Sequence, residues 1–282
     1  MKNQEIAQLF FEEFLGEKAT AFLALPQSGS ARMNFIGKSS NETYVITYNE
    51  NLLENEAFFY FTQVFSDLKL NTPQIFKINE ERKLYIQEFL GEKTLSEIIT
   101  QEGESERVKS LVKQTLKHLF ELQEKTQNKI DFSKTFEYEK YDELPITHDL
   151  YYFKNYLIDI LELPYHKSTL LKEFKKIVQK IENLAPKSLM IRDFQARNIL
   201  VNDKDEVFFI DYQAAMEGPA LYDVVSFLFQ AKANFSENFK NEMLEYYFSF
   251  HPSEQRNELE KSLKYCKMIR FIQVLGAYGF RG

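Results

Sequence analysis

The chain has 282 residues, 44% hydrophobic and 27% charged, enough to bury a sizeable core as one large domain or as two lobes sharing a cleft. Its formal net charge is −7, with no basic stripe, which sets nucleic-acid binding aside and is compatible with a cationic substrate without requiring one. The single cysteine, Cys266, excludes an internal disulfide and a Cys-based zinc cluster, and fits a reducing compartment.

Residues 1–16, MKNQEIAQLFFEEFLG, set Ile6, Leu9, Phe10, Phe14 and Leu15 at helical spacing and predict an amphipathic helix. Glu12 and Glu13 interrupt the apolar run, so it does not read as a signal peptide. No run approaches the ~18 apolar residues of a membrane span, and a cytoplasmic protein is expected. Residues 21–25, 33–37 and 44–48 read as three short antiparallel strands, separated by the turn signals PQSGS and KSSN. A helix is expected over 53–65 and an extended region from Pro73. A further strand lies in KLYIQEFLGEKTL, running into a connector at Leu90 and Gly91.

From Thr94 the pattern changes. Val108, Leu111, Val112, Leu116, Leu119 and Leu122 recur every three or four residues, as on the core face of a helix. Helical patterns continue at about 150–161 and 170–184. A loop, a short strand, a turn and a second short strand follow, and two helices, around 221–231 and 257–276, are expected to finish the chain. The layout is therefore α+β and bilobal: a small antiparallel β lobe over 1–90 and a larger helical lobe over 91–282. The ending YCKMIRFIQVLGAYGFRG is apolar and helical without a polar cap, which predicts that the chain is a truncated piece of a longer protein.

The segment MIRDFQARNILVNDKDEVFFIDYQAA, residues 190–215, carries the chemistry. Asp193 and Asn198 stand at D-x-x-x-x-N spacing. Asp211 ends an apolar strand 18 residues after Asp193 (211 − 193), and a hairpin between them brings both carboxylates to one pocket. Phosphoryl transfer from ATP needs an acceptor for the attacking hydroxyl's proton, hard oxygen ligands for Mg²⁺ and a clamp on the triphosphate. In that chemistry Asp193 takes the proton, while Asn198 and Asp211 hold the metal. Asp and Asn are also ordinary turn residues, and VNDKDE alone is a hairpin turn; the strand–turn–FFID context makes the pattern specific. None of the four histidines has metal-site spacing with another.

The stretch IRDFQARNILV…FFIDYQAAMEGPALYDVVSFL resembles the aminoglycoside and choline phosphotransferase family, with its protein-kinase-like fold. Its wording, together with HDLYYFKNYLI and QVLGAYG, is closest to bacterial anomeric kinases of N-acetylmuramate and N-acetylglucosamine. The resemblance implies an ATP- and Mg²⁺-dependent small-molecule kinase. It assigns Asp223 the bracing of the catalytic loop, with Ile191 as an apolar anchor where many kinases have His. It implies that PQSGSAR, between the first two strands, covers the phosphates, through Ser28, Gly29 and Ser30 with Arg32 adding charge. It places adenine against the carbonyl of Glu88 and the N–H of Leu90, with Gln87 as gatekeeper. It turns Gln195 and Arg197 toward the acceptor. His148 and Asp149, in a segment mixing polar and aromatic side chains, are further acceptor contacts; the same segment also reads as a core face with solvated polar residues.

One departure from the family pattern stands out. The third strand, TYVITYNE, lacks the lysine that pairs with the phosphates and a helix glutamate. Lys38 is near but displaced, Arg32 is expected to supply the charge, and Glu54 and Glu56 without a lysine read equally as solvated surface. The alternatives are an aminoglycoside or choline/amino-alcohol phosphotransferase and, from another class, a nucleotide-binding pseudokinase. The retained Asp–Asn–Asp set argues against the last.

Overall fold

The computed structural model describes residues 2–26 and 31–281, the side chain of Arg281 excepted. The first helix, α1 (Lys2–Leu15), lies on a five-stranded antiparallel sheet of order β1-β2-β3-β5-β4. Its strands are β1 (Ala21–Ala24), β2 (Met33–Lys38), β3 (Thr43–Tyr48), β4 (Ile75–Ile78) and β5 (Leu84–Glu88). α1 buries Ala7, Phe10 and Phe11, whereas Ile6 and Leu9 are exposed. Of the expected stripe, Phe10, Phe14 and Leu15 pack on the core while Ile6 and Leu9 do not, because Phe11 meets Phe22 and Tyr44 of the sheet and sets the rotation.

α2 (Leu52–Asp67) connects β3 to β4. Its start is set by Asn51, whose side chain accepts the Glu54 N–H. Its buried Phe58, Phe61 and Phe65 belong to the same apolar cluster as Leu95, Val201, Phe209 and Tyr212, so one core runs from α2 into the C-terminal region. Each fully buried Phe contributes about 2 kcal/mol. A separate small cluster sits under α1.

Beyond β5 come the short β6 (Lys93–Thr94), α3 (Leu95–Glu102) and α4 (Glu106–Lys125). The helix expected from Val108 to Leu122 is α4, separated from α3 at Gly103, which has φ +62° and opens the turn before the Ser105 cap of α4. α5 (Glu143–Phe153) starts earlier than expected, at the Asp142 cap, and runs into a π-helical turn, Lys154–Ile158. α6 (Lys167–Ile181) follows. Then come β7 (Lys187–Met190), the hairpin β8 (Ile199–Val201) and β9 (Val207–Phe209), and β10 (Met216–Pro219). β6 pairs with β8, and β7 with β10.

Three helices finish the chain instead of the two expected: α7 (Leu221–Leu228), α8 (Glu237–Phe248) and α9 (Ser253–Arg281). α8 has a readable start, a Ser236 side chain accepting the Phe239 N–H, and buries Phe239, Met243, Leu244 and Tyr247. α9 packs along α5 and the π-helical turn. A Cβ at Gly276 would come within 2.8 Å of the Tyr152 ring and 3.0 Å of the Phe153 backbone, which explains the small residues of QVLGAYG as a close helix crossing. Among the described residues no helix is long and apolar enough to cross a membrane.

Candidate active site

The loop between β7 and β8 owes its shape to a buried acid. Asp223, near the start of α7, is wholly buried and accepts the N–H groups of Ile191 at 2.6 Å and Arg192 at 3.0 Å. Those two bonds hold Arg192 at φ +72°, a conformation that costs a non-glycine residue on the order of 1 kcal/mol or more. Burial pushes the Asp223 carboxyl up to about 7, against the pull of the two N–H groups. Ile191 is buried in the main core. Arg192 pairs with Asp149 and Glu137, each at 3.2 Å.

From this brace the loop presents Asp193 at the surface. One of its oxygens accepts Gln195 Nε2 at 2.5 Å and the other accepts Arg197 Nη2 at 2.7 Å. A short 3₁₀ turn, Ala196–Asn198, then brings Asn198 inward, where its Nδ2 donates to the Asp193 carbonyl at 2.9 Å and to Asp211 Oδ2 at 3.3 Å. The β8–β9 hairpin closes through Asn202, whose side-chain oxygen accepts the N–H groups of Lys204 and Glu206, both at 2.9 Å. It returns the chain to Asp211. That residue has φ +66° and accepts Gln213 Nε2 at 3.1 Å. Asp193, Asn198 and Asp211 thus stand together in one place.

The next residue ties this corner to α2. Tyr212 is fully buried, bonds Thr62 through its hydroxyl at 2.7 Å, and stacks on Phe58 with ring centroids 5.1 Å apart. On the same helix Glu54 lies 3.4 Å from Arg32 Nε, while Arg32 Nη2 donates to Asp211 at 2.5 Å. Glu54 is therefore no solvated surface residue: it is 15% exposed, and its partner is an arginine placed just before β2. Glu56, by contrast, pairs with Arg82 at the surface. Lys38 sits at the far end of β2, opposite Thr43. Burial works against the Arg32 charge, but the facing Asp211 carboxylate outweighs it, and Arg32 titrates above its ordinary value. Asp211 lies below the usual carboxylate range: burial alone would lift it, and Arg32 reverses the sign.

The nucleotide-side residues are placed as follows. Ser28, Gly29 and Ser30 lie outside the described residues. Gln87 is on β5 opposite Val45 and donates to Thr47 Oγ1 at 3.3 Å. The Glu88 N–H donates to Gln74 O at 2.9 Å, and Leu90 is buried. Gly91 has φ +132°, and a Cβ there would lie 2.9 Å from the Val201 carbonyl. The connector thus passes against the catalytic hairpin where only glycine fits.

On the acceptor side one expectation is corrected. Asp149 is buried, with one oxygen accepting the Tyr141 hydroxyl at 2.7 Å and the other facing Arg192 at 3.2 Å. It braces the loop from below instead of meeting a ligand. His148, one residue away on α5, is exposed, its ring centroid 6.1 Å from that of Tyr152. Sequence reasoning missed two residues. Gln213 orients Asp211, and its Oε1 is buried without a partner. Arg270 of α9, its side chain only 6% exposed, brings Nη2 to 3.7 Å from Asp193. The signal for Arg270 was present: a lone arginine within the apolar run CKMIRFIQV requires a buried partner.

Among the described residues no three His, Cys, Asp or Glu side chains stand together as a metal cluster. The donors at Asp211 nonetheless suit a hard divalent cation that takes its remaining ligands from phosphate oxygens. They are a carboxylate, the Asn198 amide, and the orphaned Gln213 oxygen beside it.

A small β lobe and a larger helical lobe, with a braced Asp–x₄–Asn loop facing an Asp at a hairpin end, define a protein-kinase-like fold. Residues 25–257 match the sequence profile of APH, the phosphotransferase enzyme family, and the chain belongs to that family. It is a small-molecule phosphotransferase with an alcohol group as acceptor. No curated protein sequence matches it. Solved structures share the fold at low identity. Choline kinase LicA from Streptococcus pneumoniae aligns with TM-score 0.63 at 12% identity, over 100% of this chain and 97% of that one. Spectinomycin phosphotransferase APH(9)-Ia, in complex with ADP and spectinomycin, aligns with TM-score 0.65 at 14% identity, over 96% and 87%. The gentamicin complex of APH(2")-IIa aligns with TM-score 0.62 at 18% identity, over 97% and 95%.

Proposed function

We propose that the protein transfers the γ-phosphate of ATP to a hydroxyl of an amino sugar such as N-acetylmuramate or N-acetylglucosamine. The observation that carries the kinase chemistry is the joining of Asp193, Asn198 and Asp211 by bonds of 2.9 and 3.3 Å, with Arg32 linking Asp211 to Glu54. In this reading residues 1–90 form the nucleotide lobe and 91–282 the catalytic and acceptor lobe. ATP lies between them, its adenine against the backbone of Glu88 and Leu90 beside Gln87. Arg32 faces its phosphates; the further contacts expected from Ser28, Gly29 and Ser30 lie outside the described residues. The ADP in the spectinomycin phosphotransferase complex supports a nucleotide in this cleft.

Asp193 accepts the acceptor's proton as the new O–P bond forms and the bond to the β-phosphate oxygen breaks, leaving ADP. Asp211 and the oxygen of Asn198 would hold Mg²⁺, which supplies neutralisation of the phosphate charge. Gln195, Arg197 and His148 border the acceptor. Support for an amino sugar comes from the segments DFQARN, DYQ, HDLYYFKNYLI and QVLGAYG, of which the last two pack together as α5 and α9. A cytoplasmic location suits the use of ATP.

The second reading, an aminoglycoside or choline-type acceptor, is favoured by the neighbours' printed substrates. An ATP-consumption screen of amino sugars, aminoglycosides and choline separates them. Turnover confined to amino sugars is expected; turnover confined to choline or aminoglycosides replaces the first reading with the second. ATP binding with no turnover of any acceptor would leave a pseudokinase.

A further inference from the structure

The acid read as the base is covered on both oxygens. Gln195 Nε2 donates to Asp193 Oδ1 and Arg197 Nη2 to Oδ2. A second guanidinium, that of Arg270, stands 3.7 Å from Oδ1, beyond hydrogen-bond length. Arg270 comes from α9, donates to Gln273 Oε1 at 2.6 Å, and lies 6.0 Å from the Tyr222 ring centroid.

Two cations therefore face one carboxylate. The neighbouring acids redress the balance only in part: Asp223 attracts Arg270 but its oxygens accept the Ile191 and Arg192 N–H groups, Asp211 attracts Arg197 but is paired with Arg32, and Asp149 and Glu137 are engaged by Arg192. A nearly buried guanidinium without a full ionic partner is costly, and an anion arriving beside Asp193 would relieve it. Arg197 is the part that can turn. It is 49% exposed and makes no second ion pair among the described residues, so exchanging one carboxylate for another costs little.

We infer that the acceptor carries a carboxylate, that Arg197 and Arg270 bind it, and that this exchange uncovers Asp193 for the acceptor hydroxyl. The inference rests on the reading of Asp193 as the base of an amino-sugar kinase. It makes Arg197 and Arg270 specificity-determining residues, whose charge also counts against a cationic acceptor.

The test is steady-state kinetics of the full chain with ATP and Mg²⁺ on three acceptors. They are N-acetylmuramate, N-acetylglucosamine, which has the same ring without the lactyl carboxylate, and choline. N-acetylmuramate is expected to exceed N-acetylglucosamine in kcat/KM by about tenfold or more, the value of a charged hydrogen bond. Arg197→Gln should collapse that ratio toward one, mainly through the KM for N-acetylmuramate. Arg270→Gln should do the same and Arg270→Lys should recover part of it. Arg197 is at the surface, so its variant tests the idea even if Arg270→Gln does not fold. Equal efficiency on the two sugars, or a ratio that survives Arg197→Gln, overturns this inference and leaves the kinase reading standing. Preference for choline, or no turnover of any acceptor, overturns both.

Discussion

Both carboxylates of the candidate site have an arginine against them, yet the two halves of the cleft use that arginine differently. On the nucleotide side Arg32 bridges Asp211 and Glu54, is 16% exposed, and joins a sheet, a helix and a hairpin end. Arg197, among the described residues, pairs within salt-bridge distance with Asp193 alone, four residues away on the same loop, and is half exposed. An ion pair anchored at both ends and partly buried is framework, while one anchored at a single end in water contributes little and yields to a competitor. The contrast makes the Arg32 pair framework and leaves the Arg197 pair the more readily exchanged of the two.

Removing the base is the most drastic way to separate the halves. Asp193→Asn is expected to lower kcat by about 10³-fold with nucleotide affinity unchanged within a few-fold in calorimetry; near-normal turnover would end the assignment. The next effect belongs to the brace beneath both. With Asp223 near 7 when folded and about 4 when unfolded, the folded protein keeps a proton that the unfolded chain releases. Stability should therefore fall as pH rises from about 4 to about 7 and level off above, by on the order of 4 kcal/mol for this group. Urea denaturation of the parent and of Asp223→Asn across that window checks it, and identical slopes would refute it.

Asp211→Asn addresses the nucleotide half directly. It should reduce kcat/KM by about 10²-fold and abolish the gain in nucleotide affinity on adding Mg²⁺. A parent protein that binds ATP equally with and without magnesium would remove the metal role. Smaller still, Arg32→Gln should raise the KM for ATP about tenfold, with Arg32→Lys intermediate. An unchanged KM would mean that Arg32 serves the fold alone and that the two arginines differ less than their contacts imply.

Much of this was legible in the residues. The Asp193–Asn198–Asp211 spacing follows from a short continuous segment, while the bracing Asp223 and the apolar Ile191 were implied by the family resemblance. Local chemistry dictates the turn, the strand period and the hairpin there, so the pattern survives without tertiary information. Failures came where a side chain's partner is remote in sequence. Glu54 was ambiguous because its partner, Arg32, reaches it only through the sheet. Asp149 read as a ligand contact because a polar residue beside an apolar helix face does not reveal whether Tyr141 and Arg192 wait underneath. α8 was overlooked although Ser236 and the Phe239–Met243–Tyr247 spacing announce it.

The sequence by itself determined the class of fold, the candidate catalytic loop and the acids in it, since its turn and hairpin depend on contacts within a few turns of chain. Tertiary structure alone decided that Arg32 pairs with both Asp211 and Glu54, that Asp149 is buried against Tyr141 and Arg192, and that Arg270, 77 residues from Asp193 (270 − 193), stands 3.7 Å from it. Charge pairing in a folded core is set by distance in space and by exclusion of water, and neither quantity is written in the order of the residues.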